Sequence, residues 1–306
     1  MSRLLSWGLA FWLMALVTNG SAGSQARADP LSDALYAYDH GAGPKAIDLL
    51  TPLANAGEVK AAEALLHIYA YGEGVAQDKT LTLKWSRRAA ELGSAIGENS
   101  IGAAYYNGEG GLEKDAEQAL VWWRRAASHG SPKAEYVLGQ AYLNGSLVPR
   151  SPMAAFRLVQ QAADAGYEKA ELLMARMYFH GDWAHPPNIQ LSINYMMRAA
   201  MQGNTGAEIA VGLVEFLDRF PPGHTPNPSA AVKWLILANR GGCVVAMKYL
   251  RPIAQLIDPT DLALGVQLAD QLEASRSPRD PHVHAEDPTD GCSPSIDYPP
   301  PSFQRI

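Results

Sequence analysis

Two groups of side chains have the types and spacing for metal chemistry, and one pair has the makings of redox chemistry. His282, His284, Glu286 and Asp287 place four ligand-type groups within six residues, and His180, Asp182 and His185 form a second short group. Imidazole and carboxylate are common ligands of zinc-like ions. Neither group lies on an element whose pattern would hold ligand geometry. Both are therefore read as polar surface, and no metal or other cofactor is expected. Cys243 and Cys292 are the two cysteines. In an oxidising compartment they could pair, closing a loop of about fifty residues and constraining the unfolded chain by several kcal/mol. The alternative is one buried and one exposed thiol. No Gly-Lys dipeptide occurs, which excludes a P-loop, and no Ser-x-x-Lys occurs, which excludes the penicillin-binding type of serine site. No catalytic residue is assigned, and the chain is expected not to be an enzyme.

The elements that must position any site follow from composition and period. With 47% hydrophobic and 18% charged residues in 306, most of the chain has the means to fold. Residues 1–28 read as a secretory signal. Arg3 gives a positive start, Leu9 to Val17 a short apolar run, and Ala26-Arg27-Ala28 small residues around a cut before Asp29. The run is too short to span a bilayer, so a periplasmic or secreted chain with no stable membrane insertion after cleavage is expected. Loss of Arg3 and Arg27 takes the net charge from −6 to −8. An acidic surface of this size argues against nucleic acid or anionic lipid as the main partner.

The decisive feature is self-similarity. Tyr69-Ala-Tyr-Gly72 recurs as Tyr105-Tyr-Asn-Gly108, Tyr142-Leu-Asn-Gly145 and Tyr178-Phe-His-Gly181, at steps of 36, 37 and 36 residues. An Ala pair followed by glycine keeps the same step: Ala89-Ala90-x-x-Gly93, then the equivalents ending at Gly130, Gly166 and Gly203. Within a copy, Ala61, Leu65, Leu66 and Tyr69 share one face of a first helix. Gly72 and Gly108 sit where that helix should stop in a left-handed C-cap. Small residues such as Gly102 and Gly139 are expected to let a neighbouring helix backbone come close. Asp78 and Asp115 suit the N-cap of a second helix, on which Trp85, Ala89 and Ala90, matched by Trp122, Ala126 and Ala127, should face inward. A helical hairpin of this kind must stack to bury its apolar face.

These residues resemble the Sel1-like repeat, a relative of the tetratricopeptide repeat; the clearest copy runs from Tyr69 through Asp78 and Trp85 to Gly93. The resemblance covers about residues 31 to 242 and weakens along the chain. Ser151 and Leu158, then Asn188 and Tyr195, replace the Asp and Trp. The fifth copy loses the Tyr-x-x-Gly pair and inserts a Pro-rich loop, Pro221 to Pro228, before Trp234, Ala238 and Gly242. The fold implied is all-α, a right-handed superhelical solenoid of stacked antiparallel helix pairs. The expected organisation is a signal at 1–28 and an N-terminal capping half-repeat at 29–57. Repeats follow at 58–93, 94–130, 131–166, 167–203 and, degraded, 204–242. C-terminal capping helices at 243–274, broken at Pro259-Thr-Asp261 with Thr260 or Asp261 as a cap, precede an irregular tail at 275–306 with seven prolines.

In such stacks the first helices line the concave side. On that register His67, Tyr106, Tyr136, Gln140, Leu143, Leu172, Arg176 and Phe179 would form a partly aromatic strip fit for a peptide or helix in a groove. The resemblance implies a scaffold or regulator that binds an envelope protein or peptide segment. A cell-wall enzyme or glycan-binding accessory acting on peptidoglycan or β-lactams is the alternative. Cysteine-rich relatives linked to β-lactam binding carry a cysteine pair per repeat, which this chain lacks.

Overall fold

The computed structural model describes residues 29–181, 186–217 and 225–276. Among them lie fourteen α-helices and no strand. Two helices come first, the short α1 (Pro30–Asp39) and α2 (Gly43–Ala56). Five hairpins follow: α3 (Val59–Tyr71) with α4 (Lys79–Glu91), α5 (Ala95–Asn107) with α6 (Ala116–Ser128), α7 (Pro132–Asn144) with α8 (Pro152–Asp164), α9 (Glu168–His180) with α10 (Ile189–Met201), and α11 (Thr205–Phe216) with α12 (Pro228–Arg240). The chain closes with α13 (Ala246–Leu256) and α14 (Pro259–Ser275). The segment read as a half-copy thus carries its own short first helix, α1, whose buried Ala34 and Ala37 join the core of α2 and α3.

Local chemistry sets the helix ends. Asp78 and Asp115 cap α4 and α6 through two backbone N–H groups each, at 2.8 to 3.0 Å. Gly72, Gly108 and Gly145 terminate α3, α5 and α7 in the left-handed conformation, at φ of 75°, 72° and 67°. The tyrosine of the repeat holds the loop that follows. Its carbonyl accepts from the next helix's N-cap N–H, as in Asp78 to Tyr69, Asp115 to Tyr105, Ser151 to Tyr142 and Asn188 to Tyr178. The fifth copy keeps this closure without the tyrosine, through Asn227 N–H to Glu215 O at 2.7 Å.

Packing inside the hairpins corrects two expectations. Trp85 is buried, but in the second copy Trp123 goes into the core, while Trp122 and Ala127 are half-buried. The reason is Gly102: a Cβ there would meet the Trp123 ring at 2.6 Å, so the glycine makes room for an indole and not for a helix backbone. Gly139 likewise seats Val159, and the close backbone approach occurs at Gly97, against Ser86 O and Ala90 N. Each buried side chain of this size contributes about 1.5–3 kcal/mol.

A second device ties neighbouring repeats. A glutamate recurs five residues after each repeat glycine, as Glu98, Glu135, Glu171 and Glu208. An arginine stands just before the Ala pair as Arg88, Arg125 and Arg198. Glu98 is fully buried: Arg125 Nε comes within 2.6 Å of its Oε1 without hydrogen-bond alignment, and His129 Nδ1 lies 2.8 Å from Oε2. Glu171 pairs with Arg198 at 2.9 Å and accepts from Gln202 at 2.8 Å. Burial raises its pKa, and Arg198 opposes that rise. Two of the arginines also reach back to the preceding helix pair. Arg88 donates to Ala54 O and Asn55 O at 3.1 and 2.9 Å, and Arg198 donates to Ala163 O. A cation there sits at the negative end of a helix.

The C-terminal cap completes this set by a different route. In the fifth copy the arginine position holds Leu237, and the guanidinium comes from Arg276, just past α14. It donates to Glu208 Oε1 at 2.6 Å and to Ala200 O. The helix α14 lies parallel to α12, as Ser229–Asp261, Val232–Gly265 and Arg240–Glu273 contacts show. Gly265 permits this approach, since a Cβ there would meet Val232 at 2.5 Å. The N-cap of α14 is Asp258, not Thr260 or Asp261, because Pro259 takes the first helical position.

Candidate functional site

The first helices present a grid of side chains, one column for each position and one row for each repeat. The first column reads Lys60, Ile96, Lys133 and Lys169. Glu63, Asn99, Tyr136 and Leu172 form the second, His67, Ala103, Gln140 and Arg176 the third, and Ala70, Tyr106, Leu143 and Phe179 the fourth. The steps of 36 or 37 residues set the rows, and spacings of three and four along each helix keep the columns on one face.

The structure places the sequence-assigned strip as follows. Tyr106 is exposed, with 49% of its surface accessible, and its ring centroid lies 5.5 Å from that of Trp123. Tyr136 is half-buried, edge-on to Tyr167 at 5.3 Å, and its hydroxyl accepts from Gln140 Nε2 at 2.8 Å. Leu143, Leu172 and Phe179 are half-buried and pack on the core shared by the third, fourth and fifth repeats. Arg176 is exposed, and His67 is half-buried with its ring 5.7 Å from Tyr71. The strip therefore has an outer part, Tyr106 and Arg176, and a part that also serves inter-repeat packing. Sequence reasoning missed Ile96, which is 44% accessible on the same face of α5 as Asn99, Ala103 and Tyr106. Its position ten residues before Tyr106 was the signal.

Among the remaining sequence-assigned residues, Tyr69 is half-buried, and burial together with the nearby Asp78 carboxylate raises its pKa. Tyr195, standing where other copies have tryptophan, stacks on Tyr178 at 5.8 Å. Trp234 is buried beneath Lys233 and Arg276, at 4.2 and 5.7 Å from its centroid. Gly181 ends α9 at φ 73° and ψ 165°, outside the left-handed cap geometry of the earlier copies. Cys243 is buried in the core shared by α11, α12 and α13. Cys292, the 282–287 group, Asp182, His185, residues 221–224 of the Pro221 to Pro228 loop and residues 1–28 lie outside the described residues. Among the described residues no cluster of His, Cys, Asp and Glu could hold a metal, and no helix is long and apolar enough to cross a membrane.

Comparison with known proteins agrees with this architecture. A family model described as Sel1 repeat matches residues 60–94, 95–131, 132–167, 168–204 and 207–243. A Sel1 repeat protein from Oxalobacter formigenes has a similar structure, at 23% identity over 80% of this chain and 100% of that one, with a TM-score of 0.63. A protective antigen of uropathogenic Escherichia coli that displays an SLR fold is also similar. It is 23% identical over 81% of this chain and 62% of that one, with a TM-score of 0.44. An immunity protein from Pseudomonas aeruginosa is 21% identical over 83% of this chain and 87% of that one, with a TM-score of 0.47. At these identities the likeness is one of fold. No curated protein sequence matches the chain.

Proposed function

The chain belongs to the Sel1 repeat family, and we propose that it is an exported scaffold or regulator that captures a protein partner on the concave face of its solenoid. Sel1 repeat proteins are generally protein–protein interaction scaffolds. The observation that carries the reading is the pair Ile96 and Tyr106. They are two large apolar side chains left open on one face of α5, continuous through the grid with Tyr136, Leu172 and Phe179. Apolar anchors that remain accessible on a rigid helical frame are what a helix or extended segment uses as a groove. The cationic column of Lys60, Lys133 and Lys169, with Arg176, suits a segment bearing some acidic residues. Export rests on Arg3, the Leu9 to Val17 run and the small residues before Asp29.

The test uses the chain from Asp29 onward as bait in crosslinking pull-downs from envelope fractions. One protein should be enriched and should also bind when purified. The Ile96→Asp/Tyr106→Ala variant, altered only at accessible positions, should weaken that binding by about thirtyfold, the cost of about 2 kcal/mol expected of a central anchor. Undiminished binding to this variant, with its circular dichroism unchanged, would remove the concave face from the proposal.

A further inference from the structure

The outer side of the solenoid carries a second feature. A cleft of about 340 Å³ is lined by Thr80, Leu83, Lys84, Arg87, Arg88 and Glu91 of α4, and is closed at one end by Gly110 of the next loop. Its floor is the buried Leu83. The α4 residues recur at spacings of three and four, so the cleft follows one stripe of the helix. Arg88 is fixed by its bonds to Ala54 O and Asn55 O and by Glu91 at 3.3 Å. Lys84 and Arg87 are exposed, and no acid of the described residues pairs with them. One repeat further on, the position of Arg87 is held by the exposed Arg124 and that of Arg88 by Arg125. Later copies lose this character: the two positions become Gln160 and Gln161, then Met197 and Arg198, then Ile236 and Leu237. In a chain of net charge −6, two adjacent repeats thus carry an Arg-Arg pair on their second helices, while the Lys84 position becomes Val121 and then the exposed Arg157. Of these arginines Arg88 and Arg125 serve the stacking, through Ala54 O and Glu98, and Arg87 and Arg124 point away from it as exposed side chains.

We infer that this cleft is a second docking site, separate from the concave face, and that its occupant is an acidic peptide segment of a protein partner. Length selects the occupant. From Thr80 to Glu91 the helix rises about 16 Å, room for about five extended residues, whereas a lone phosphate would fill a fraction of it. Charge selects the side chains: Arg87 and Lys84, whose ammonium lies 4.9 Å from the Trp85 ring centroid and pairs with no acid among the described residues, match carboxylates spaced along a strand, with Arg124 at the equivalent position of the next repeat. Glu91 lies at the far end, where it neutralises Arg88, and so favours acidic residues toward the Lys84 end. This inference rests on the protein-scaffold reading but not on which face holds the main partner.

The experiment measures fluorescence anisotropy of a fluorescein-labelled pentaglutamate peptide titrated with the full chain at about 20 mM and about 150 mM salt. The peptide should bind at low salt and weaken as salt rises. Lys84→Glu/Arg87→Glu should reduce affinity by about tenfold or more, Arg124→Glu by less, and Arg157→Glu, one repeat further along the same outer surface, should have no effect. Ile96→Asp/Tyr106→Ala should also leave it unchanged, which separates failure of this site from failure of the concave one. If the double charge reversal fails to fold, Lys84→Gln/Arg87→Gln serves in its place. Three results would overturn the proposal. They are no binding of pentaglutamate, equal loss in Arg157→Glu, or a preference for tripolyphosphate or phosphatidylglycerol vesicles over the peptide.

Discussion

In the second repeat the carboxylate of Glu98 is fully buried between Arg125 and His129. In the third, the equivalent Glu135 is half-exposed, and the positions of the two cations hold Gln161 and Ala165. The two hairpins share the serine and glycine caps of their first helix, their loop closure and their helix lengths. Burial of the glutamate therefore follows the presence of its cation and not the backbone. The fourth and fifth repeats obey the same rule, with Glu171 on Arg198 and Glu208 on the borrowed Arg276. A buried pair of this kind is weak evidence of net stabilisation, because desolvation offsets the attraction. Breaking one, however, strands a charge.

The largest contrast should come from Glu208→Ala against Glu135→Ala. The first leaves Arg276, itself largely buried, without its carboxylate and should cost about 3 kcal/mol. The second removes a half-exposed acid with no cation at the two equivalent positions, and its effect should stay within about 0.5 kcal/mol. Urea unfolding measures both, and equal losses would break the rule. Restoring the missing cation is a smaller effect. Gln161→Arg should raise stability by about 0.5 kcal/mol, seen as a shifted urea midpoint, and no gain would mean that the third junction cannot admit the pair. The subtlest effect is on pH dependence. Burial alone raises the pKa of Glu135. A raised folded-state value means that this group's contribution is present below the ordinary carboxylate pKa of about 4.3 and is lost as pH rises through the raised one. The fall in stability across that window should shrink in Gln161→Arg and vanish in Glu135→Gln. An unchanged profile in both would assign the fall to other groups.

How much of this was legible in the sequence depended on whether the cause was local. Asp78, Asp115 and the terminating glycines act within a few residues, and the fixed period exposed them. Trp122 was matched to Trp85 by spacing, yet the choice between two adjacent indoles is made across the hairpin by Gly102, which no local pattern reveals. The clamp was written in the sequence, since the glutamates step by 37, 36 and 37 residues in phase with the Ala pairs, but its partners lie 27 residues apart in chain. Arg276 breaks the period altogether, so only packing could disclose its role. On the first helices, Ile96 escaped because the strip was drawn from the second, third and fourth columns of the grid and Ile96 lies in the first.

The parallel course of α14 along α12 also sets the length of the array. A further hairpin of the repeat would have to lay its helices against α12, and α14 already occupies that flank. Arg276 closes the last open carboxylate. Inserting an extra unit between the second and third repeats would leave this end-stop intact, whereas one placed after Gly242 would have to displace it. Helix α14 is thus a full stop in the grammar of the repeat.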